Sequence, residues 1–181
     1  MTDMTAAEVI VRPATLADAA EIAAVHVESW HTTYRGTFPQ AAIDAHTVER
    51  RLALWTHALQ MPSGARSLFV AVRGSAVVGF ASLGPLRTDG PPIDGEGEMN
   101  AIYLRENAQR SGIGRQLFGA GARWLRHAGF NAMRCKVVRG NPASGFYLHL
   151  GGQLVASATF ELEGTQLVED TYRFDLTDHR G

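Results

Sequence analysis

"ENAQRSGIGRQLF", residues 106–118, opens like a helix yet carries Gly112 and Gly114 where helix formers would stand at lower cost. A glycine inside a helical turn costs about 1 kcal/mol relative to alanine. That penalty is tolerated where the backbone must approach a ligand closely, or must present its N–H groups without side chains in the way. Helix N-termini of this kind bind phosphate, because unsatisfied N–H groups and the positive end of the helix dipole converge there. The stretch therefore predicts a strand-to-helix turn, and the question it poses is which phosphate-bearing ligand, if any, its amides hold.

The flanking residues give the turn its setting. "EMNAIYLR" before it reads as a strand. After it, Leu117, Gly121, Trp124 and Ala128 share one helix face, with Gly129 placed as the C′ cap. "AMRCKVV" is a strand, "PASGFYLHL" a short helix, and "QLVASATF" with "LVEDTYRF" a hairpin around "EGT". Upstream, "SLFVAV" and "AVVGFASLG" flank "RGS" as another hairpin. Val9 to Arg12 is a short strand. Thr15 then caps a helix with Asp18 in a capping-box position, and Leu16, Ala20, Ala23, Val27 and Trp30 form its apolar stripe. A second helical region runs from about Pro39 to Gln60 and breaks near Ala45 to Thr47. "TDGPPIDGEG", residues 88–97, reads as a long hairpin loop and not as a domain boundary. The order β, α, α, β, β, β, α, β, α, β, β predicts an α/β fold. Its mixed sheet has early antiparallel hairpins and a parallel βαβ crossover near residue 114.

Composition narrows the classes. A chain of 181 residues with 45% hydrophobic and 19% charged residues suits one globular domain, residues 1–181. A net charge of −1 gives no global reason to expect nucleic acid or an anionic membrane as partner. A local basic patch remains, from Arg105, Arg110, Arg115, Arg123 and Arg126. Cys135 is the sole cysteine, so it has no internal disulfide partner and builds no cysteine zinc site; mid-strand among apolar residues, it reads as a small buried hydrophobe. No His/Cys/Asp/Glu spacing fits a metal. The N-terminus lacks the features of a signal peptide and no long apolar run appears, so a cytoplasmic location is expected.

For the glycine turn itself, a Walker A loop is excluded because Arg115, not Lys, follows Gly114. A dinucleotide fingerprint counted from Gly112 would need Gly or Ala where Leu117 stands, and an acid further on that is missing. A plain turn without ligand would use the same glycines.

The wider run "EMNAIYLRENAQRSGIGRQLF" resembles the acetyl-CoA segment of the GCN5-related N-acetyltransferase (GNAT) superfamily. Gln109, Gly112 and Gly114 fill that family's Gln/Arg-x-x-Gly-x-Gly/Ala signature. "NPASGFYLHLGG" is similar to the family's later segment, although Asn141 precedes Tyr147 by six residues where seven is commoner. "HVESWHTTYRG" resembles the N-terminal region of a broad bacterial group within it. The element order is also the family's, so the resemblance spans nearly the whole chain. It implies a GNAT fold, a mixed central sheet of about seven strands flanked by about four helices, and acetyl-CoA as donor.

The resemblance also implies roles for residues. The amides of Arg110, Ser111, Gly112, Ile113, Gly114 and Arg115, with Gln109, would hold the pyrophosphate, Arg110 and Arg115 adding charge-assisted bonds. Ile102, Tyr103 and Leu104 would pair with the pantetheine arm like an added strand. Glu98 stands at the family's general-base position; a strict alternation would put it on one face with Asn100, Ile102 and Leu104. Glu98 would otherwise be solvated charge closing an acidic loop. Tyr147 matches the general acid, protonated at neutral pH, or is a packing tyrosine beside Phe146 and Leu150. Asn141 before Pro142 reads first as a helix cap and second as a cofactor contact. Trp30, His31 and Tyr34, with His26, would line the acceptor pocket or simply pack the helix end.

The reading that follows is transfer of an acetyl group directly to a primary amine of a small molecule. The alternatives are a protein N-terminal or lysine acetyltransferase, and a non-catalytic acyl-CoA-binding sensor. The C-terminal hairpin offers a strand edge for a homodimer.

Overall fold

The computed structural model describes residues 8–62, 66–88 and 93–177. In chain order the elements are β1 (Val9–Pro13), α1 (Ala19–Thr33), α2 (Gln40–Asp44), α3 (Val48–Gln60), β2 (Ser67–Arg73), β3 (Ala76–Pro85), β4 (Glu96–Leu104), α4 (Ile113–His127), β5 (Ala132–Val138), α5 (Ala143–His149), β6 (Gln153–Leu162) and β7 (Thr165–Asp175). The seven strands form one sheet in the order β1-β2-β3-β4-β5-β7-β6. Only β4 and β5 run parallel, joined through α4, and every other neighbouring pair is antiparallel. This is the expected α/β architecture. Among the described residues it has five α-helices because the second helical region splits between Asp44 and Val48, where Thr47 leaves helical geometry to cap α3.

Local chemistry sets the turns. Glu163 and Gly164 both have positive φ (46° and 76°), which matches the right-handed twist of the β6–β7 hairpin. At the end of α4, Gly129 (φ 93°) sends its N–H to Arg126 O (3.0 Å) and Phe130 sends its own to Leu125 O (3.0 Å). That pair of bonds is a Schellman cap. The residues 89–92 of the long loop lie outside the described residues. Its flanks pair antiparallel, Pro85 with Gly97, as a hairpin requires.

Two expectations need correction. The apolar stripe of the first helix is not Leu16, Ala20, Ala23, Val27 and Trp30: Leu16 is 52% exposed and Ala20 is exposed too. Leu16–Asp18 forms a 3₁₀ turn, and α1 begins only at Ala19, so the phase of the stripe is reset. The buried face is Ala19, Ile22, Ala23, Val25, His26 and Ser29, two of them polar. Asp18 does close the turn, accepting from the Thr15 N–H at 2.7 Å and, in a fork, from Arg12 (2.8 Å to each oxygen).

The second correction concerns β4. Leu83 pairs with Met99 and Ser82 with Ala101, so Asn100 is an extra residue, a β-bulge. Gly97 and Met99 lie over α4: a Cβ on Gly97 would meet Leu125, and Met99 packs with Leu83 and Gly121. Beyond the bulge, Ile102 and Leu104 take over that face, while Ala101 and Tyr103 turn to the other. Glu98 therefore stands on the face opposite Ile102 and Leu104, not beside them.

The sheet thus has two covered faces. On one, Leu117, Phe118 and Leu125 of α4 pack with Leu83, Met99, Met133 and Cys135. On the other, Ile22 and Val25 of α1 and Trp55 of α3 pack with Val70, Val77 and Phe80. Among the described residues no helix is long and apolar enough to cross a membrane, and no group of three or more His, Cys, Asp or Glu could hold a metal ion.

Candidate active site

The register between β4 and β5 ends at Met99 with Cys135, one residue before the bulge. From there the strands part, β4 staying with β3 and β5 continuing alongside β7. The Arg105 N–H bonds to Val78 O (2.9 Å) across on β3. Alternation then turns the peptide groups of Tyr103 toward β3 and those of Ile102 and Leu104 toward the opened side. The Leu104 carbonyl already accepts from Ser29 Oγ (3.2 Å) and Gln109 Nε2 (3.3 Å). Of the three residues expected to present backbone to an extended ligand, Ile102 offers its groups free, Leu104 offers its N–H, and Tyr103 offers its side chain.

Below Leu104 the chain makes a short 3₁₀ turn, Glu106–Ala108, and then enters α4. Arg110 (φ 55°) and Gly112 (φ 83°) both occupy the left-handed region. For Arg110 this costs roughly 1–2 kcal/mol; Gly112 adopts it freely. Ser111 Oγ donates to Ala108 O (2.7 Å), so its side chain holds the turn shut. The first bond of the helix runs from Gln116 N–H to Gly112 O (3.1 Å). The amides of Ile113, Gly114 and Arg115 consequently point out of the helix end. The Ile113 side chain is buried in the core, leaving only its backbone for a ligand.

The opened strands and this helix start bound a cleft of about 650 Å³. Ile102, Tyr103, Leu104, Gln109, Arg110, Gly112, Gly114, Arg115 and Asn141 line it, together with Ser29, Thr32, Thr33 and Phe146, which sequence reasoning did not single out. Ser111 and Ile113 are not among the residues that line it. Nine of the eleven residues expected to bind a cofactor thus meet in one place, with amides, two arginines and an apolar strand edge. A diphosphate on an extended arm fits that donor set: the glycines leave the helix start bare, and a Cβ on Gly112 would meet nothing within 4 Å.

Glu98 and Tyr147 sit near the fork on opposite faces. Glu98 is 1% exposed and is not a solvated charge. Arg87, which sequence reasoning missed, grips it: Nη2 to Oε1 at 2.9 Å, Nε to Oε2 at 3.1 Å, and the Arg87 N–H to Oε2 at 3.1 Å. Oε1 carries one of these bonds and keeps room for another. Tyr147 is 5% exposed, its ring against Phe146, Tyr172 and Phe174. Burial, with Cys135, Tyr103 and Tyr34 nearby, raises its pKa well above the ordinary tyrosine value. Cys135 is fully buried, and burial pushes its thiol up as well.

The third group surrounds Tyr103. Trp30 Nε1 donates to the Tyr103 hydroxyl at 3.1 Å. The Tyr34 hydroxyl bonds to that same oxygen and to the side chain of Asn141. Burial first, then Tyr103, raises the Tyr34 pKa, while the bond to Asn141 works the other way. Asn141 Oδ1 caps α5 through the Ala143 N–H (2.8 Å), so Asn141 serves as cap and as cleft wall at once. Trp30 and Tyr34 reach the cleft through Tyr103 and do not line it themselves. His31 lies elsewhere, in a depression of about 580 Å³ with Glu28, Arg105 and Glu106. His26 is buried, accepts from Trp55 Nε1 (3.1 Å) and stacks on Tyr103 (4.9 Å); burial first, then Arg51, hold its pKa down to about 3. It is a neutral packing histidine.

Residues 26–152 match the family model described as Acetyltransferase (GNAT) family. The chain belongs to the GNAT family. It is 39% identical over 163 residues to YuaI of Bacillus subtilis (strain 168), described as an uncharacterised N-acetyltransferase, covering 89% of this chain and 90% of that one. An N-acetyltransferase from Staphylococcus aureus Mu50 shares the fold with a TM-score of 0.76 at 21% identity, covering 94% of this chain and 99% of the other. YncA of Salmonella typhimurium, solved with its cofactor acetyl-CoA, does so with a TM-score of 0.72 at 23% identity, covering 96% and 97%. As a GNAT protein the chain is an N-acetyltransferase.

Proposed function

We propose that this chain moves the acetyl group of acetyl-CoA directly to the primary amine of a small molecule. The observation that carries this reading is the parting of β4 from β5 at the Asn100 bulge, directly above the bare amides that begin α4. Acetyl-CoA supplies an activated acyl thioester. The amides of Ile113 to Arg115 and the guanidinium groups of Arg110 and Arg115 bind its phosphates, and the opened edge at Ile102 orients its extended arm. Tyr147 holds its proton far above neutral pH and delivers it to the leaving sulfur. Glu98 Oε1, fixed by Arg87, takes the amine proton through a water.

A small acceptor is favoured because the segment after α1 is packed down. Tyr34, Phe38 and Ile43 form one apolar cluster with Val138 of β5 and Phe160 and Leu167 of the β6–β7 hairpin, which narrows the groove a peptide would need. The test is twofold. Acetyl-CoA at about 100 times its dissociation constant should stabilise the protein by roughly 2.7 kcal/mol, with ATP and NADH giving much smaller shifts. CoA release should then be screened over amino acids, polyamines, aminoglycosides and peptides. Equal stabilisation by ATP would remove the acetyl-CoA assignment. Release with peptides alone would favour the protein acetyltransferase.

A further inference from the structure

Among the described residues Arg51, in the first turn of α3, is a cation with no carboxylate partner. Its guanidinium lies 6.0 Å from the centre of the Trp30 ring. Its Nε is buried without a hydrogen-bond partner. Among the described residues no carboxylate acts on it; the charges and polar groups around it are Arg50, the Tyr103 hydroxyl, and the rings of His26 and His46. Both histidines are kept neutral by burial with Arg51 adding to the effect, so the cluster carries positive charge that no carboxylate among the described residues offsets. A half-buried charge is ordinarily paired. The contact with Trp30 compensates it only weakly.

Its aromatic neighbours are joined to the cofactor cleft through Tyr103. Trp30 is stacked by His46 at 3.4 Å and flanked by Tyr34 and Phe38. It donates to Tyr103, whose residue lines the cofactor cleft. Arg51 therefore sits on the α1–α3 side of the sheet, the side that carries Glu98, with its Nε edge turned into the protein. A guanidinium edge presents two parallel N–H groups, the shape that matches the two oxygens of a carboxylate.

We propose that Arg51 anchors a carboxylate of the acceptor, so that the amine acetylated by this chain belongs to the amino-acid class. This rests on the small-amine reading above and narrows it. Trp30 and His46 then form the apolar wall beside the anchored acid group.

The experiment compares, at fixed acetyl-CoA, CoA release with L-amino acids, their methyl esters and the corresponding decarboxylated amines, in the wild type and in Arg51→Gln and Arg51→Lys. For the accepted side chain, the free acid should exceed its ester by roughly 10- to 100-fold in kcat/KM, chiefly through KM, as expected for a charge-assisted bond. Arg51→Gln should abolish that preference while leaving acetyl-CoA affinity unchanged. Arg51→Lys, which keeps charge and loses the fork, should retain part of it. If Arg51→Gln fails to fold, the acid-to-ester ratio of the wild type decides alone. Esters and decarboxylated amines turning over as well as the acids would overturn the proposal and leave the small-amine reading standing. No release from any of these amines, with peptides accepted, would overturn both.

Discussion

Replacing Gly114 by alanine separates binding from folding within a single helix. Gly114 is the second residue of α4, and its added Cβ would lie 3.3 and 3.4 Å from ring atoms of Phe146 and 3.6 Å from Leu104 Cδ1. Those distances ask the Phe146 ring to retreat by a few tenths of an ångström. It can do so, being half-buried on the short helix α5. Alanine meanwhile gains up to about 1 kcal/mol of helix propensity over glycine. The expected change in stability is therefore between nothing and about +1 kcal/mol, a Tm rise of no more than about 4 °C for a domain of this size. Gly114 also lines the cleft, so on the proposed placement of acetyl-CoA the same methyl group would stand in the cofactor's way. A tenfold loss of affinity, about 1.4 kcal/mol, is expected by calorimetric titration.

Two neighbours serve as controls. A Cβ on Gly121 would come 2.5 Å from Leu83 Cδ2 and 3.0 Å from Met99 Cε, both in the core, so Gly121→Ala should lose about 1–3 kcal/mol with acetyl-CoA affinity unchanged. Gly112→Ala meets no atom but must adopt φ +83°, at roughly 1–2 kcal/mol. If Gly114→Ala melts as low as Gly121→Ala, the retreat of Phe146 is wrong; if it binds acetyl-CoA like the wild type, the placement of the cofactor against this helix start is wrong.

Tyr147→Phe keeps the buried ring and should leave stability and acetyl-CoA affinity nearly unchanged while turnover falls roughly 10²- to 10⁴-fold; normal turnover would make Tyr147 a packing residue. Because its pKa is raised, the wild-type rate should show no alkaline decline from the phenol up to pH 10. Glu98→Gln should lower turnover most at pH values where the acceptor amine is protonated, with partial recovery as pH rises, and an unchanged profile would give the proton to water or another group. His26 titrates near 6.5 when unfolded and about 3 when folded, so the unfolded state takes up the proton first; stability is full above pH 6.5 and declines as pH falls toward 3. Urea unfolding should show about 2 kcal/mol less stability from His26 at pH 5 than at pH 7, and His26→Gln should flatten that slope.

What could be read beforehand divides along a physical line. Signals carried by neighbouring residues were legible: the glycine turn, both hairpins, the Gly129 cap, and the break before Thr47. Pairings made across the sheet were not. Arg87 finds Glu98 from beyond the opposite strand, Trp55 reaches His26 from 29 residues away, and Arg51 meets Trp30 only once α3 lies on α1. The phase of α1 is hidden in the sequence because His26 and Ser29 are polar yet buried, each satisfied by a distant partner, Trp55 Nε1 or the Leu104 carbonyl.

The bulge at Asn100 falls between these cases. Met99 and Ile102 both need the α4 face, and a strand of strict period two cannot give it to an odd residue and then to an even one. The aliphatic pair Ile102 and Leu104 belongs against α4, whereas Tyr103 needs polar partners, which Trp30 and Tyr34 supply on the other face. One extra residue satisfies both demands. It also bends β4 at the point where its pairing with β5 stops. The break in alternation inside "MNAIYL" was thus a visible sign that the strand changes face, and the change of face is what opens the edge on which the proposed chemistry depends.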